Sequence, residues 1–172
     1  MKKIIPILLI TSILYYASSC EKDDICVDGD TPLLVIGFFD IEDTTQAKEV
    51  TSIRIKSIDI DSVLSNDSFN DRTDSPDSLQ VPLRSNATTT MYEIISSSAD
   101  DDETEQETGN IDTLTITYEL EEAFVSRACG FVSNYNLVSV TVPASAENWI
   151  QDIKVVQPNV KNTDSIHVKI FH

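Results

Sequence analysis

Glycine is scarce in this chain: Gly29, Gly37, Gly109 and Gly130 are the only four in 172 residues. Phosphate-cradling loops need closely spaced glycines, so the P-loop and the dinucleotide-binding fingerprint are excluded. Histidine is scarcer still, with only His167 and His172. A Ser-His-Asp relay needs a histidine held beside a nucleophile. His167 falls on the polar phase of the last apolar segment and is expected to face solvent, and His172 is the final residue. Basic residues are few: 12 Lys and Arg stand against 29 Asp and Glu, a formal net charge of −17. Such a surface repels nucleic acid, which excludes a nucleic-acid partner. No internal repeat is visible, and no segment has a convincing helical period.

What is present begins with a signal. Lys2 and Lys3 give a positive start, Ile4 to Tyr16 form a 13-residue apolar stretch, and Ala17-Ser18-Ser19 supplies small residues before Cys20. This is the layout of a signal peptide, too short to span a bilayer. Ala17-Ser18-Ser19-Cys20 resembles the bacterial lipobox, with Ala17 where Leu is usual. The resemblance implies cleavage after residue 19, a thioether-linked diacylglycerol on Cys20, and a further acyl chain, such as palmitate, on the new amino terminus. Two or more chains anchor stably where one does not. Cleavage removes two lysines and no acid, so the formal charge moves from −17 to −19. Glu21-Lys22-Asp23-Asp24 resembles the Lys-Asp/Glu-rich signal that sends Bacteroidota lipoproteins to the outer surface, with Glu21 where Gln is common. The expected address is the cell outer membrane, facing the exterior; the periplasmic face is the alternative.

The expected domains are therefore a signal peptide over 1–19, a lipidated tether over 20–31 and one domain over 32–172. With Cys20 acylated, Cys26 and Cys129 remain. An even pair in an exported chain is expected to form a disulfide, the alternative being two buried free thiols. The bond would leave only Glu21 to Ile25 as free tether, at most about 17 Å.

The domain reads as all-β. Leu33 to Phe39 is a continuous apolar run, typical of a strand covered on both faces. Ile53 and Ile55 alternate with Arg54 and Lys56, then Ile58 and Ile60 continue in the opposite phase, so a bulge near Lys56-Ser57 is expected to restore register. Val81-Pro82-Leu83 reads as an edge segment, and Thr89 to Ile95 as a strand. Ser96 to Asn110 carries six acids and reads as a flexible, solvated hairpin tip. Leu114, Ile116, Tyr118 and Leu120 share one face of a strand. Ala123 to Phe131 reads as another, and Val138, Val140 and Val142 alternate until Pro143. Ile150 to Val156 and Ser165 to Phe171 read as a closing hairpin. The expected fold is an immunoglobulin-like β-sandwich of roughly seven to nine antiparallel strands, with a small β-barrel as the alternative.

Ala128-Cys129-Gly130-Phe131, Val81-Pro82-Leu83, the closing Ile166 to Ile170 and an early Cys26 together resemble a family of small Bacteroidota lipoproteins catalogued as a domain of unknown function. The resemblance implies the address and no activity. Relative to that family, Ser96 to Asn110 looks like an insertion.

Candidate chemistry is thin. With 29 acids, carboxylate pairs are inevitable and carry no information. Asp23, Asp24, Asp28 and Asp30, and the Asp100 to Asp102 run, lack EF-hand spacing and its glycine, so no metal is expected. No cofactor is expected either. Trp149 is the one candidate platform for a glycan. Asp-Ser/Thr triplets that resemble the O-glycosylation motif of Bacteroidota mark Thr44, Ser62, Ser78, Thr113 and Ser165, with Ser78 favoured as a loop residue. The expected function is a membrane-anchored, non-catalytic module that binds a protein or glycan of the envelope. The alternatives are a glycan-binding protein or an accessory polysaccharide hydrolase using acids near Glu119 to Glu122.

Overall fold

The computed structural model describes residues 26, 30–75 and 77–172. The expected signal peptide, the acylated Cys20 and the Glu21 to Asp24 signal lie outside the described residues. Among the described residues nine strands form, in order β1 (Leu34–Phe39), β2 (Arg54–Ser57), β3 (Ser62–Val63), β4 (Ser78–Val81), β5 (Thr89–Ser96), β6 (Asn110–Ser126), β7 (Gly130–Thr141), β8 (Asp152–Val155) and β9 (Val168–Phe171). They make a β-sandwich of two sheets, one ordered β4-β1-β9-β8 and the other β3-β2-β5-β6-β7. The sheets do not close into a barrel.

One pairing departs from the antiparallel expectation: β1 runs parallel to β9, with Ile36 opposite Val168 and Phe39 opposite Phe171. As a central strand of its sheet, β1 is buried at all six positions. Its Leu34, Ile36 and Phe38 pack on Ile55, Ile94, Leu114 and Ile116 of the facing sheet. This apolar layer is the core, and its burial is the main source of stability.

The parallel ladder also corrects the reading of His167, which is 1% exposed rather than solvent-facing. Its backbone N–H donates to the Val35 carbonyl (2.9 Å). Its imidazole Nδ1 in turn accepts the Val35 N–H at 3.1 Å. The ring thus supplies the acceptor that the first rung lacks, and the polar phase of the sequence conceals a buried polar contact.

Three further expectations fail for local reasons. No bulge restores Ile58 and Ile60: β2 ends at Ser57 in a turn, and Ile60 is left 74% exposed. Ala123 to Phe131 is not a separate strand, because β6 continues to Ser126 and reverses over Arg127 to Cys129 into β7. Gly130, at φ 71°, closes that turn in a conformation a side chain resists. Finally, Leu120 lies at the surface while Tyr118 is buried. The register slips there, with Leu137 and Val138 together opposite Tyr118. Leu137 takes the left-handed φ of 52° that such a bulge requires. The slip lets odd-numbered Tyr135 and even-numbered Val138 and Val140 enter the same core.

The acidic connection between β5 and β6 is clasped rather than free. Glu107 accepts from Arg54 Nη1 (3.1 Å), Ser98 Oγ (2.8 Å), and the N–H groups of Ala99 (3.1 Å) and Gly109 (2.9 Å). Arg72 pairs with Asp100 through both terminal nitrogens. Burial pushes the Glu107 carboxyl up, but the donors outweigh it and hold the group down at about 2. A carboxyl lowered from its ordinary 4.5 stabilises the fold fully above that value, and the contribution disappears as pH falls from 4.5 towards 2. Glu107→Gln is expected to lose about 2 kcal/mol at neutral pH. In urea titrations its deficit against wild type should vanish near pH 2; a deficit that stays constant down to there would refute the assignment.

Candidate functional site

Two features stand out once the strands are in place: a cleft beside β4 and the far end of the β6–β7 hairpin. The cleft lies beside a strand crossing that three tyrosines hold, and of these Tyr92 lines it. After β4 the chain crosses from one sheet to the other through Pro82, Leu83 and Arg84. Tyr92 donates to the Pro82 carbonyl, Tyr135 to the Leu83 carbonyl (2.9 Å) and Tyr118 to the Arg84 carbonyl (2.9 Å). Three hydroxyls thus fix three consecutive carbonyls. Tyr118 and Tyr135 meet edge to face at 5.0 Å between centroids. Burial pushes all three phenols up, Tyr135 to about 12 with help from Tyr118. They are donors at every physiological pH. Tyr135→Phe is expected to cost about 1–3 kcal/mol, because the Leu83 carbonyl is left buried and unpaired. A chemical-denaturation midpoint unchanged from wild type would contradict it.

Beside this crossing, Ser57, Asp59, Leu64, Pro82, Arg84 and Tyr92 line a cavity of about 330 Å³. Its walls are largely apolar, and exposed Ile60 stands at its edge. Arg84 Nη1 donates to Asp59 Oδ1 at 2.9 Å, leaving an ion pair at the cleft. The surroundings suit binding of a small apolar group with a polar end.

At the hairpin end, Cys129 is disulfide-bonded to Cys26, with Cα atoms 4.8 Å apart. That fits the expected pairing rather than two free thiols. Phe124 and Phe131 lie opposite each other and meet edge to face at 5.4 Å, yet are 61% and 67% exposed. Arg127 in the turn is also exposed.

The other expected site residues lie apart. Trp149 is a rim residue, not an open platform: its indole N–H donates to the Ile94 carbonyl (3.1 Å), and its ring packs on Phe38 and His172. Glu119, Glu121 and Glu122 are exposed along β6. Glu121 accepts from Asn136 at 2.7 Å and pairs with Lys161 at 3.3 Å. Thr44, Ser62 and Ser165 are exposed, whereas Ser78 opens β4 and Thr113 lies within β6, both half-buried. Asp112, beside Thr113, is buried and accepts the Ile150 N–H at 2.8 Å.

Sequence reasoning missed the cleft and the exposed phenylalanine pair. Tyr118 in an apolar phase and aromatics on both sides of a Cys-Gly turn were the available signals. No curated protein and no solved structure matches the chain. A family model does match over residues 51–172. The matched span leaves out β1, although β1 joins β4 to β9 in the first sheet. With the match covering most of its length, the chain belongs to DUF6452, a family of unknown function.

Proposed function

We propose that the chain is an exported bacterial lipoprotein of the Bacteroidota type that acts by binding rather than by catalysis. Acyl chains on Cys20 hold it to the outer membrane, and the domain faces the exterior. The observation that carries this reading is the Cys26–Cys129 bond. Such bonds persist outside the cytoplasm, and this one ties the segment just after Cys20 to the domain. The Asp59–Arg84 cleft is the binding surface, at the small end of the range for ligand sites. Its partner is an envelope protein or glycan that inserts a short apolar group beside Ile60. Exposed Thr44, Ser62 and Ser165 are the better acceptors for O-linked glycans, which an intact mass of the native protein would reveal.

Proteinase treatment of intact cells tests the orientation: the domain should be digested before the outer membrane is broken. Crosslinking with mass spectrometry on the same cells should join the Ile60–Arg84 region to an envelope partner, and Ile60→Asp should remove the link. Turnover of a polysaccharide panel, abolished by Glu119→Gln or Glu121→Gln, would overturn binding in favour of hydrolysis.

A further inference from the structure

We propose that the end of the β6–β7 hairpin is a membrane-docking foot, with Phe124 and Phe131 seated in the interface of the bilayer that holds the anchor. The inference rests on the lipoprotein reading above and adds to it a specific orientation.

Three observations converge on this end of the molecule. The first is the uncovered face. Cross-strand partners point to the same side of a sheet, so Leu120–Tyr135, Glu122–Ser133 and Phe124–Phe131 share one side. Tyr135 on that side is fully buried, whereas Phe124 and Phe131 are mostly exposed. The hairpin has run past the opposing sheet, and its inward side emerges with two aromatic rings on it.

The second is charge. Over the hairpin end itself, Ala123 to Phe131, the chain contains no Asp or Glu, and Arg127 is its single charged residue. The nearest acid on the same face is Glu122, one same-side pair back, and Asp24 and Asp28 flank Cys26 in sequence. Elsewhere the chain is dense in acid, with 29 carboxylates in 172 residues. A carboxylate held against a phosphate-bearing surface would be repelled and desolvated. The turn presents an arginine instead, whose guanidinium matches phosphate oxygens.

The third is reach. Cys26 is bonded to Cys129 in the turn itself. From Cys20 to that point the chain supplies only Glu21 to Ile25 between the two cysteines, a reach of about 20 Å at full extension. An acylated Cys20 therefore cannot leave the hairpin end far from the headgroups. The short leash and the exposed rings act together, because a surface already held nearby needs little added affinity to stay docked. Aromatic rings beside a cation are suited to the boundary between headgroups and acyl chains.

The test uses the full lipidated protein in phosphatidylcholine vesicles, with or without dibrominated acyl chains as quencher. Phe131→Trp adds one indole to the foot, and the wild type reports Trp149 alone. The added fluorescence should be quenched by about half or more, as for an interfacial tryptophan, while the Trp149 signal stays unchanged. Phe124→Trp is the second variant, should the first fold poorly. Flotation of the same samples, with the mass of the Cys20 peptide, checks the anchor separately. An unlipidated Cys20 defeats the lipoprotein reading itself. A lipidated, vesicle-bound protein whose added indole is unquenched defeats only the foot. Crosslinks joining the hairpin ends of two copies, with no quenching, would assign the face to a second copy and overturn the proposal.

Discussion

Cys129→Ser is expected to lower stability by about 4–5 kcal/mol, the value for closing a loop of this size in the unfolded chain. The bond spans 103 residues, so it removes a large set of unfolded conformations. For a domain of this size the loss corresponds to a fall of roughly 10–15 °C in melting temperature. Cys26→Ser should give the same fall, and reductant should bring the wild type to the level of either variant. The double variant should be no worse than a single one, since both substitutions delete one bond. Thermal unfolding followed by circular dichroism, with and without reductant, makes the comparison. A loss under about 1 kcal/mol would mean that the reduced, unfolded chain already holds these segments together.

The disulfide was legible because counting thiols in an exported chain needs no geometry, and β1 was legible because six consecutive buried positions demand an unbroken apolar run. Other features depend on partners distant in the chain. The parallel placement of β9 against β1 pairs residues more than 130 positions apart, and neither segment carries a mark of direction. Ile60 illustrates a second limit: its alternation promised burial, but a turn after Ser57 left it at the edge of the cleft. The acidic loop shows a third. Its charge density suggested a solvated segment, but Arg54 and Arg72, from elsewhere in the chain, clasp it. The β1–β9 pairing and the clasped loop were decided by tertiary contacts rather than by local pattern, and Ile60 by a turn that the alternation did not mark. The crossing beside the candidate cleft follows the same rule, since three tyrosines from β5, β6 and β7 meet three carbonyls only after both sheets are assembled.

His167→Leu is expected to destabilise the protein by about 2–3 kcal/mol at neutral pH, because the buried Val35 N–H loses its acceptor. His167→Ala should cost more, roughly 3–4 kcal/mol, with a cavity added to the orphaned donor. The wild-type contribution also carries a pH signature. Burial lowers the imidazole below its ordinary 6.5, and protonation of Nδ1 would remove the acceptor. The neutral ring therefore stabilises the fold fully above pH 6.5, where neither state is charged. Below that value the unfolded chain takes up the proton first, and the contribution is lost progressively towards the lower folded-state pKa. His172 is shifted in the same direction, chiefly by burial, so the comparison is made in a His172→Gln background. Urea midpoints at about pH 8 and about pH 5.5 bracket the window above the range where carboxylates titrate. The gap between parent and His167→Leu should narrow at the lower pH. A gap that stays constant would show that the ring fills space at the head of the β1–β9 ladder without serving as its acceptor.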